Sequence, residues 1–587
     1  MPASRHYDVV ILGAGLAGLS LSRHFLLYSD KSVLLLDKRS TIPPKKQKVG
    51  ESLVQVGGYY LAKVLDLEEY LFCNHFMKYN LRFYWKSEQR ANDRFEDYSQ
   101  AYIRNFSNIG CYQLDRNEFE GELLRLNRQS ERFSFQAPVR LGRVDLAEDD
   151  ETPHLVHYRS REGECQVSAD WVVDASGRAK ILARRMKLER DNEIRHGASF
   201  AWVEGLVDID KLTDASWKEV LARKSRRQTG HLPLWLATNH FMGEGFWFWV
   251  IPLQRKTSLG LVYDRRVISP DEVSSPEKLF DWVCREFPLF ARDLPNRKLL
   301  DFGRYPDYSY DCQKTIDPRR WALTGEAGRF TDPLYSPGSD FIAIHNTLIF
   351  NAVLTGDPVR RAVRCKLYEM MMRSLYSAWV PAFSISYDAL GDRECFVLKY
   401  TWELSVYFSF FVFPFINDFL AREDFTMPYL RRMGQLGPLN DGIQKLLSDY
   451  FQWKQSQGRR QQQPVNHELT SIETLRKAEE TFYRVDATLQ EAEQVLDEQL
   501  GNLRELARFI AAHVASSVLG QPQAVDNRAF VESFDLTELR FDPQSFRRRL
   551  DSARSCQDRY QWAWSARILD QKEPERAGSR PLAGTSL

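Results

Sequence analysis

The opening of the chain constrains its fold more than any other segment. Tyr7 to Leu12 (YDVVIL) is short, apolar and β-branched, the pattern of a buried parallel strand. Gly13-Ala14-Gly15-Leu16-Ala17-Gly18 follows, and a helical pattern then runs through Leu19, Leu21, His24 and Phe25. Strand, GxGxxG turn and helix in that order predict a dinucleotide cradle. Gly13 permits the tight turn, Gly15 lets a pyrophosphate approach the backbone, and Gly18 lets the helix pack close to the strand. The N–H groups at the helix start then face the phosphates, with Ala14 and Ala17 in the same turn. A second apolar strand, Val33 to Leu36, ends in Asp37, 24 positions after Gly13, followed by Lys38. An acid at that place accepts hydrogen bonds from ribose hydroxyls.

Size and composition bound the rest. At 587 residues the chain is long enough for a large core and two or more lobes. Lys plus Arg number 80 and Asp plus Glu 79, so charge offers no argument for nucleic acid or an anionic membrane. The eight cysteines are scattered without a CxxC pair, which argues against a zinc site or a disulfide framework. No metal site is expected. That cysteine usage and the lack of a visible secretory signal give cytoplasmic as the expected location.

Two later segments favour FAD over NAD. Trp171-Val-Val-Asp174-Ala175-Ser176-Gly177 is a strand ending in an acid and a small-residue turn. Trp321-Ala-Leu-Thr324-Gly325-Glu326-Ala327-Gly328 is a second. In motif order and spacing they resemble the glutathione-reductase-type FAD fold of aromatic hydroxylases, with Glu326 where an Asp is usual. The resemblance implies that Asp174, Gly325 and Glu326 serve the cofactor.

Further motifs resemble those of the flavin-dependent halogenases. Gly50-Glu51-Ser52-Leu53 is similar to their GES segment. Trp247-Phe-Trp249-Val-Ile251-Pro252 is similar to WxWxIP. Phe330-Thr-Asp332-Pro333-Leu334-Tyr335-Ser336-Pro337-Gly338 is similar to FxDPxxSxG, and Asp115-Arg116 to the DR element. The resemblance covers roughly residues 1 to 350. It implies FAD contacts from Gly50, Glu51, Ser52, Arg116, Pro333 and Gly338. Strand geometry puts Trp247, Trp249 and Ile251 on one face and Phe246, Phe248 and Val250 on the other. In the family the tryptophan face stands between flavin and substrate.

The chemistry implied by the resemblance needs reduced FAD, O2, a halide and a lysine. Hypohalous acid travels to the lysine, which directs halogen onto an electron-rich ring. Lys78 is the candidate, with Asn80 where relatives carry Gly; Asn also tolerates positive φ. Burial would lower its pKa. Ser336, Trp247 and Trp249 complete the expected catalytic set. Halide in the family rests on consecutive backbone N–H groups of the SxG stretch. Pro337 removes one donor, which leaves Gly338 and Ser339 as the pair. Asp340 follows, and a carboxylate beside a halide is unfavourable. Tyr335 stands where tryptophan halogenases carry Glu, so the resemblance is closer to the phenol- and pyrrole-acting branch.

The expected fold class is α/β. A discontinuous FAD domain (1–60, 100–190, 300–350) carries an inserted, mainly β substrate lobe (61–99, 191–299). A helical region (351–450) closes the pocket, and its most apolar run, Leu404 to Leu420, reads as a buried helix walling it. A Gln-rich linker (451–466), a helical extension for packing or dimerisation (467–575) and a disordered tail (576–587) follow. Lys38, Arg39, Lys45, Lys46 and Lys48 read as a solvated loop near the cofactor. No second GxGxxG unit for NAD(P)H is seen, so a separate flavin reductase is the expected partner. The substrate is an activated phenol, pyrrole or related natural-product intermediate of the antibiotic type, free or tethered to a carrier protein. Two other readings stay open. One is an FAD monooxygenase or oxidase that ignores halide. The other is a flavin-bound scaffold that docks a partner without turnover.

Overall fold

The computed structural model describes residues 5–44, 46, 48–220 and 232–570. The tail at 576–587 and Lys45 lie outside the described residues. Arg5–Leu12 is central in a mostly parallel sheet. Val33–Leu36 and Gly163–Asp174 flank it in parallel, Phe133–Gln136 lies outside the former, and Trp321–Leu323 outside the latter. The strands are near-continuous apolar runs because both faces are covered, one by helices and the other by the Arg140–Asp145 and His154–Ser160 strands with the short Ile181–Arg185 helix. A helix, Leu16–Tyr28, leaves directly from the glycine turn.

The second sheet has eight strands. Leu299–Tyr305, His196–Glu204, Lys256–Asp264, Phe246–Leu253, Thr238–Gly243, Leu81–Trp85, Ser99–Tyr102 and Asn466–Glu468 follow in order. The alternation expected of Phe246–Leu253 is observed. Trp247, Trp249 and Ile251 join the main core, while Phe246, Phe248 and Val250 pack into a separate cluster with Trp282 and Phe290. This is the expected α/β class, with an FAD-type sheet, a mainly β lobe and a helical C-terminal region. Two expected lobe boundaries, at 99 and 299, fall at strands that belong wholly to the second sheet.

The helical region comprises Pro337–Val353, Pro358–Ser384, Arg393–Tyr407 and Glu423–Ser456. The apolar run is buried as expected. It continues Arg393–Tyr407 through a wide π-type turn, Phe408–Val412, into Phe413–Ile416. Pro414 has no N–H for the Phe410 carbonyl, and the Tyr429 hydroxyl donates to that oxygen instead, at 2.8 Å. No helix among the described residues is long and apolar enough to cross a membrane.

Residues 451–466 are not a free linker. The Glu423–Ser456 helix occupies the first six of them, and Asn466–Glu468 pairs in parallel with Ser99–Tyr102 at the sheet edge. The backbones of Glu88 and Gln89 donate to Gln461 and Gln462. These backbone bonds, with side-chain bonds of Gln463 to Gln89 and Arg90, tie the segment down rather than leaving it loose. Beyond it, Leu489–Leu519 starts at a capping box of Thr488 and Glu491 and ends at Gly520 in the left-handed region. One hydrophobic core runs from Val9 to Leu569. The extension is therefore part of the body of the protein.

Candidate functional site

The glycine turn is built as its sequence requires. Gly13 has φ +117, and a Cβ there would lie 2.5 Å from the Ala175 carbonyl oxygen. A Cβ on Gly18 would lie 2.0 Å from the Gly13 oxygen. Around Gly15 nothing stands within 4 Å. Two glycines thus permit close backbone packing, and the third leaves room for a ligand.

That room opens into a cleft of about 2460 Å³, counting its mouth. Gly13, Gly15, Ala17, Asp37, Lys38, Gly50, Glu51, Ser52, Arg116, Gly325, Glu326, Pro333 and Gly338 all line it. Ala14, Gly18 and Asp174 do not. Ala14 instead donates its N–H to Asp37 at 2.7 Å. Asp174 is fully buried, and its oxygens accept the N–H groups of Ser176 and Leu182 at 2.9 and 2.7 Å. It shapes the turn that brings Ser176, Gly177 and Arg178 to the cleft, and it faces away from it.

Asp37 is engaged on both oxygens. The Arg39 backbone and guanidinium donate to it at 2.8 Å. Burial raises its pKa, but the Arg39 hydrogen bonds and charge outweigh this and hold it below the usual carboxylate value. Arg39 and Lys48 both line the cleft, so part of the presumed solvated loop is cleft wall. Burial lowers the Lys48 amine to about 8 against the attraction of Glu120, which also binds Arg116 at 2.6 Å. Glu51 accepts from the Trp202 indole at 3.0 Å. An open glycine turn, cationic walls and a strand-end acid fit a dinucleotide.

Trp247, Trp249 and Ile251 form the opposite wall. The Trp247 indole donates to Tyr387 at 2.9 Å, and the Tyr387 hydroxyl donates to Asp332 at 3.2 Å. Tyr308 donates to the same Asp332 oxygen at 2.8 Å, and His196 Nδ1 lies 2.6 Å from it. This fully buried knot ties the tryptophan strand to the turn that follows Asp332. Tyr387 and Tyr308 carried no sequence signal, because their partners lie 55 and 24 residues away from them.

In that turn Tyr335 and Ser336 both take left-handed backbone conformations, φ +70 and +63. Each costs about 1–3 kcal/mol and persists only where the surroundings enforce it. The strained pair aims Ser336, Gly338 and Ser339 into the cleft. Pro337 is the first residue of the Pro337–Val353 helix, where its missing N–H breaks no helical bond. Gly338 and Ser339 follow in the first turn, where backbone N–H groups lack intrahelical partners. Asp340 points elsewhere. Its oxygens accept from the Gly57 N–H and the Tyr407 hydroxyl, both at 2.7 Å. Burial pushes its pKa up to about 7. The expected clash of carboxylate and halide is thereby reduced.

Lys78 is 3% exposed. Its ammonium donates to Ser52 Oγ and to the Leu53 carbonyl, each at 2.8 Å. No carboxylate pairs with it among the described residues, and burial lowers its pKa to about 8. Asn80 has φ +57, so it does serve as a left-handed turn residue. Lys78 lines a second, narrower chamber with Asp340, Tyr335, Tyr400, Tyr407 and Glu479. Ser52 borders the cleft and holds the lysine of the chamber, so a single residue separates the two spaces. Glu479 comes from the C-terminal extension and was marked by no motif.

No protein-family model matches the chain. It is 27% identical over 447 residues to the flavin-dependent halogenase chlA of Dictyostelium discoideum, a span of 70% of this chain and 71% of that protein. It is 23% identical over 405 residues to a 1H-pyrrole-2-carbonyl-[peptidyl-carrier protein] chlorinase of Pseudomonas fluorescens, covering 65% and 83%. Halogenase PltM, solved in complex with phloroglucinol and FAD, superposes with a TM-score of 0.58 at 18% identity, over 85% of this chain and 96% of that one. The last likeness establishes a shared fold.

Proposed function

We propose that this chain, a relative of the flavin-dependent halogenases and an FAD-dependent oxidoreductase, binds FAD in the cleft and halogenates an electron-rich aromatic in the Lys78 chamber. The observation that carries the reading is Lys78 itself: buried, ion-paired to no carboxylate among the described residues, and one serine away from the cleft. Gly13, Gly15 and Ala17 would receive the pyrophosphate, and Asp37 with Arg39 the ribose end. Glu51, Arg116 and Glu326 would border the rest. Reduced FAD bound there would supply two electrons to O2, the oxidant that converts halide to hypohalous acid, with the second oxygen leaving as water.

The protein's own residues then do three things. Gly338 and Ser339 offer backbone N–H groups to the halide at a helix N-terminus. Trp247 and Trp249 exclude the aromatic substrate from the cleft. Lys78, with a pKa of about 8, is present near neutrality both as an ammonium that donates to the oxidant and as an amine that traps it. Chloride and bromide are the halides. An activated phenol or pyrrole, free or carrier-tethered, is the substrate class, in keeping with Tyr335 in the place of an acid. A separate flavin reductase supplies the electrons.

Lys78→Ala tests this with a small hypohalous acid trap added to the assay. The variant keeps FAD and still halogenates the trap, while product on the phenol falls at least about a hundredfold. Equal loss of both products would remove the directing role of Lys78. A second reading, an FAD monooxygenase that does not use halide, is favoured by Pro337, which removes one backbone donor from the halide turn. It predicts oxygenated product whether or not halide is present.

A further inference from the structure

Glu479 lies on the Glu473–Glu480 helix, whose inner face is Thr474, Leu475, Ala478 and Glu479. Helical periodicity assigns that face to apolar residues. A glutamate there, 8% exposed, breaks the pattern. The charges that act on it are those of Glu468 and Glu480, and no cation among the described residues offsets them. An uncompensated buried carboxyl is costly, and in a cleft it marks function. Its surroundings hold it in place. The edge strand Asn466–Glu468 fixes the start of the segment on the second sheet. At the other end, Phe482 packs edge-on against Phe408, a chamber residue, with ring centroids 5.0 Å apart.

Resting on the chamber assignment above, we infer that Glu479 is the specificity-determining residue of the Lys78 chamber, accepting a hydrogen bond from an amine or hydroxyl on the side arm of the aromatic substrate and turning away substrates with an anionic arm. Two carboxyls, Asp340 and Glu479, face the chamber against one lysine. Burial raises Glu479 to about 7, so at pH 8 it is mostly ionised and its acceptor is charged. Hydrogen bonds to a charged group are the strong ones.

Calorimetric binding of tyramine, p-cresol and 4-hydroxyphenylacetate to the FAD-loaded protein at pH 8 tests the inference without turnover. The wild type should bind tyramine about tenfold more tightly than p-cresol, and 4-hydroxyphenylacetate more weakly than either. Glu479→Gln, nearly isosteric, should bring the three phenols close to parity with p-cresol binding unchanged, and Glu479→Asp should keep part of the preference. An unchanged preference in Glu479→Gln, or an equal loss of all three ligands, would overturn the inference. Failure of the wild type to bind any of the phenols would remove the chamber assignment together with it. If the preference holds but no halogenated product forms, the proposed reaction fails and the assignment of Glu479 stands.

Discussion

Replacing Lys78 by Met should make the protein more stable near neutrality while abolishing its directed chemistry. Lys78 has a pKa of about 8 in the fold against 10.5 in the unfolded chain. The protonated form is therefore disfavoured by folding. Stability is lost as pH falls from 10.5 to 8, and the loss is constant below 8. The gap of 2.5 units corresponds to about 3 kcal/mol. Met fills a similar volume without charge, but it strands the Leu53 carbonyl, a loss of about 1–2 kcal/mol, while the Ser52 hydroxyl keeps its bond to Thr238. The net expectation is a gain of about 1–2 kcal/mol at pH 7 that shrinks, and then reverses, as pH approaches 10.5. Guanidinium unfolding of both proteins at pH 7, 8.5 and 10 measures it. A Lys78→Met variant less stable than wild type at pH 7, or a difference that does not change with pH, would refute the account of a buried, unpaired lysine.

Other substitutions separate ligand space from packing. Gly15→Val should fold normally yet lose FAD, seen as loss of flavin absorbance, because a Cβ there meets only open space. Gly18→Val should lower stability by about 1–3 kcal/mol in thermal unfolding, because its Cβ meets the Gly13 carbonyl. Asp174→Asn should weaken FAD binding through the turn it holds, with a lower melting temperature; flavin loss at unchanged stability would contradict that role. Pro337→Ala restores an N–H to the helix start, and the halide KM should fall a few-fold in steady-state kinetics with halide varied at saturating aromatic.

Local features were legible in the sequence. The glycine turn, the strand-end Asp37, the two faces of Phe246–Leu253 and the left-handed Asn80 all follow from period and residue type over a few positions. Features made by distant pairing were not. The Gln-rich segment has loop composition, and only pairing with Ser99–Tyr102, far away in the chain, turns its end at Asn466–Glu468 into an edge strand. Asp174 ends a strand as a ribose-binding acid would, but the local turn after it absorbs both oxygens. Asp340 follows a halide-like turn in sequence, whereas its partners Gly57 and Tyr407 come from other elements and turn it into the chamber. Glu479 reads as one of many glutamates on a charged helix until the fold brings it to the chamber that Lys78 also lines.

Mass spectrometry of the aromatic product tests the central claim most directly. FAD-loaded protein, a flavin reductase, O2 and an activated phenol would be incubated with chloride, with bromide, and without halide. The account predicts product carrying the chlorine or bromine isotope pattern of the halide supplied, none without halide, and at least about a hundredfold less from Lys78→Ala. A product that gains oxygen alone, in equal yield in all three reactions, would contradict it.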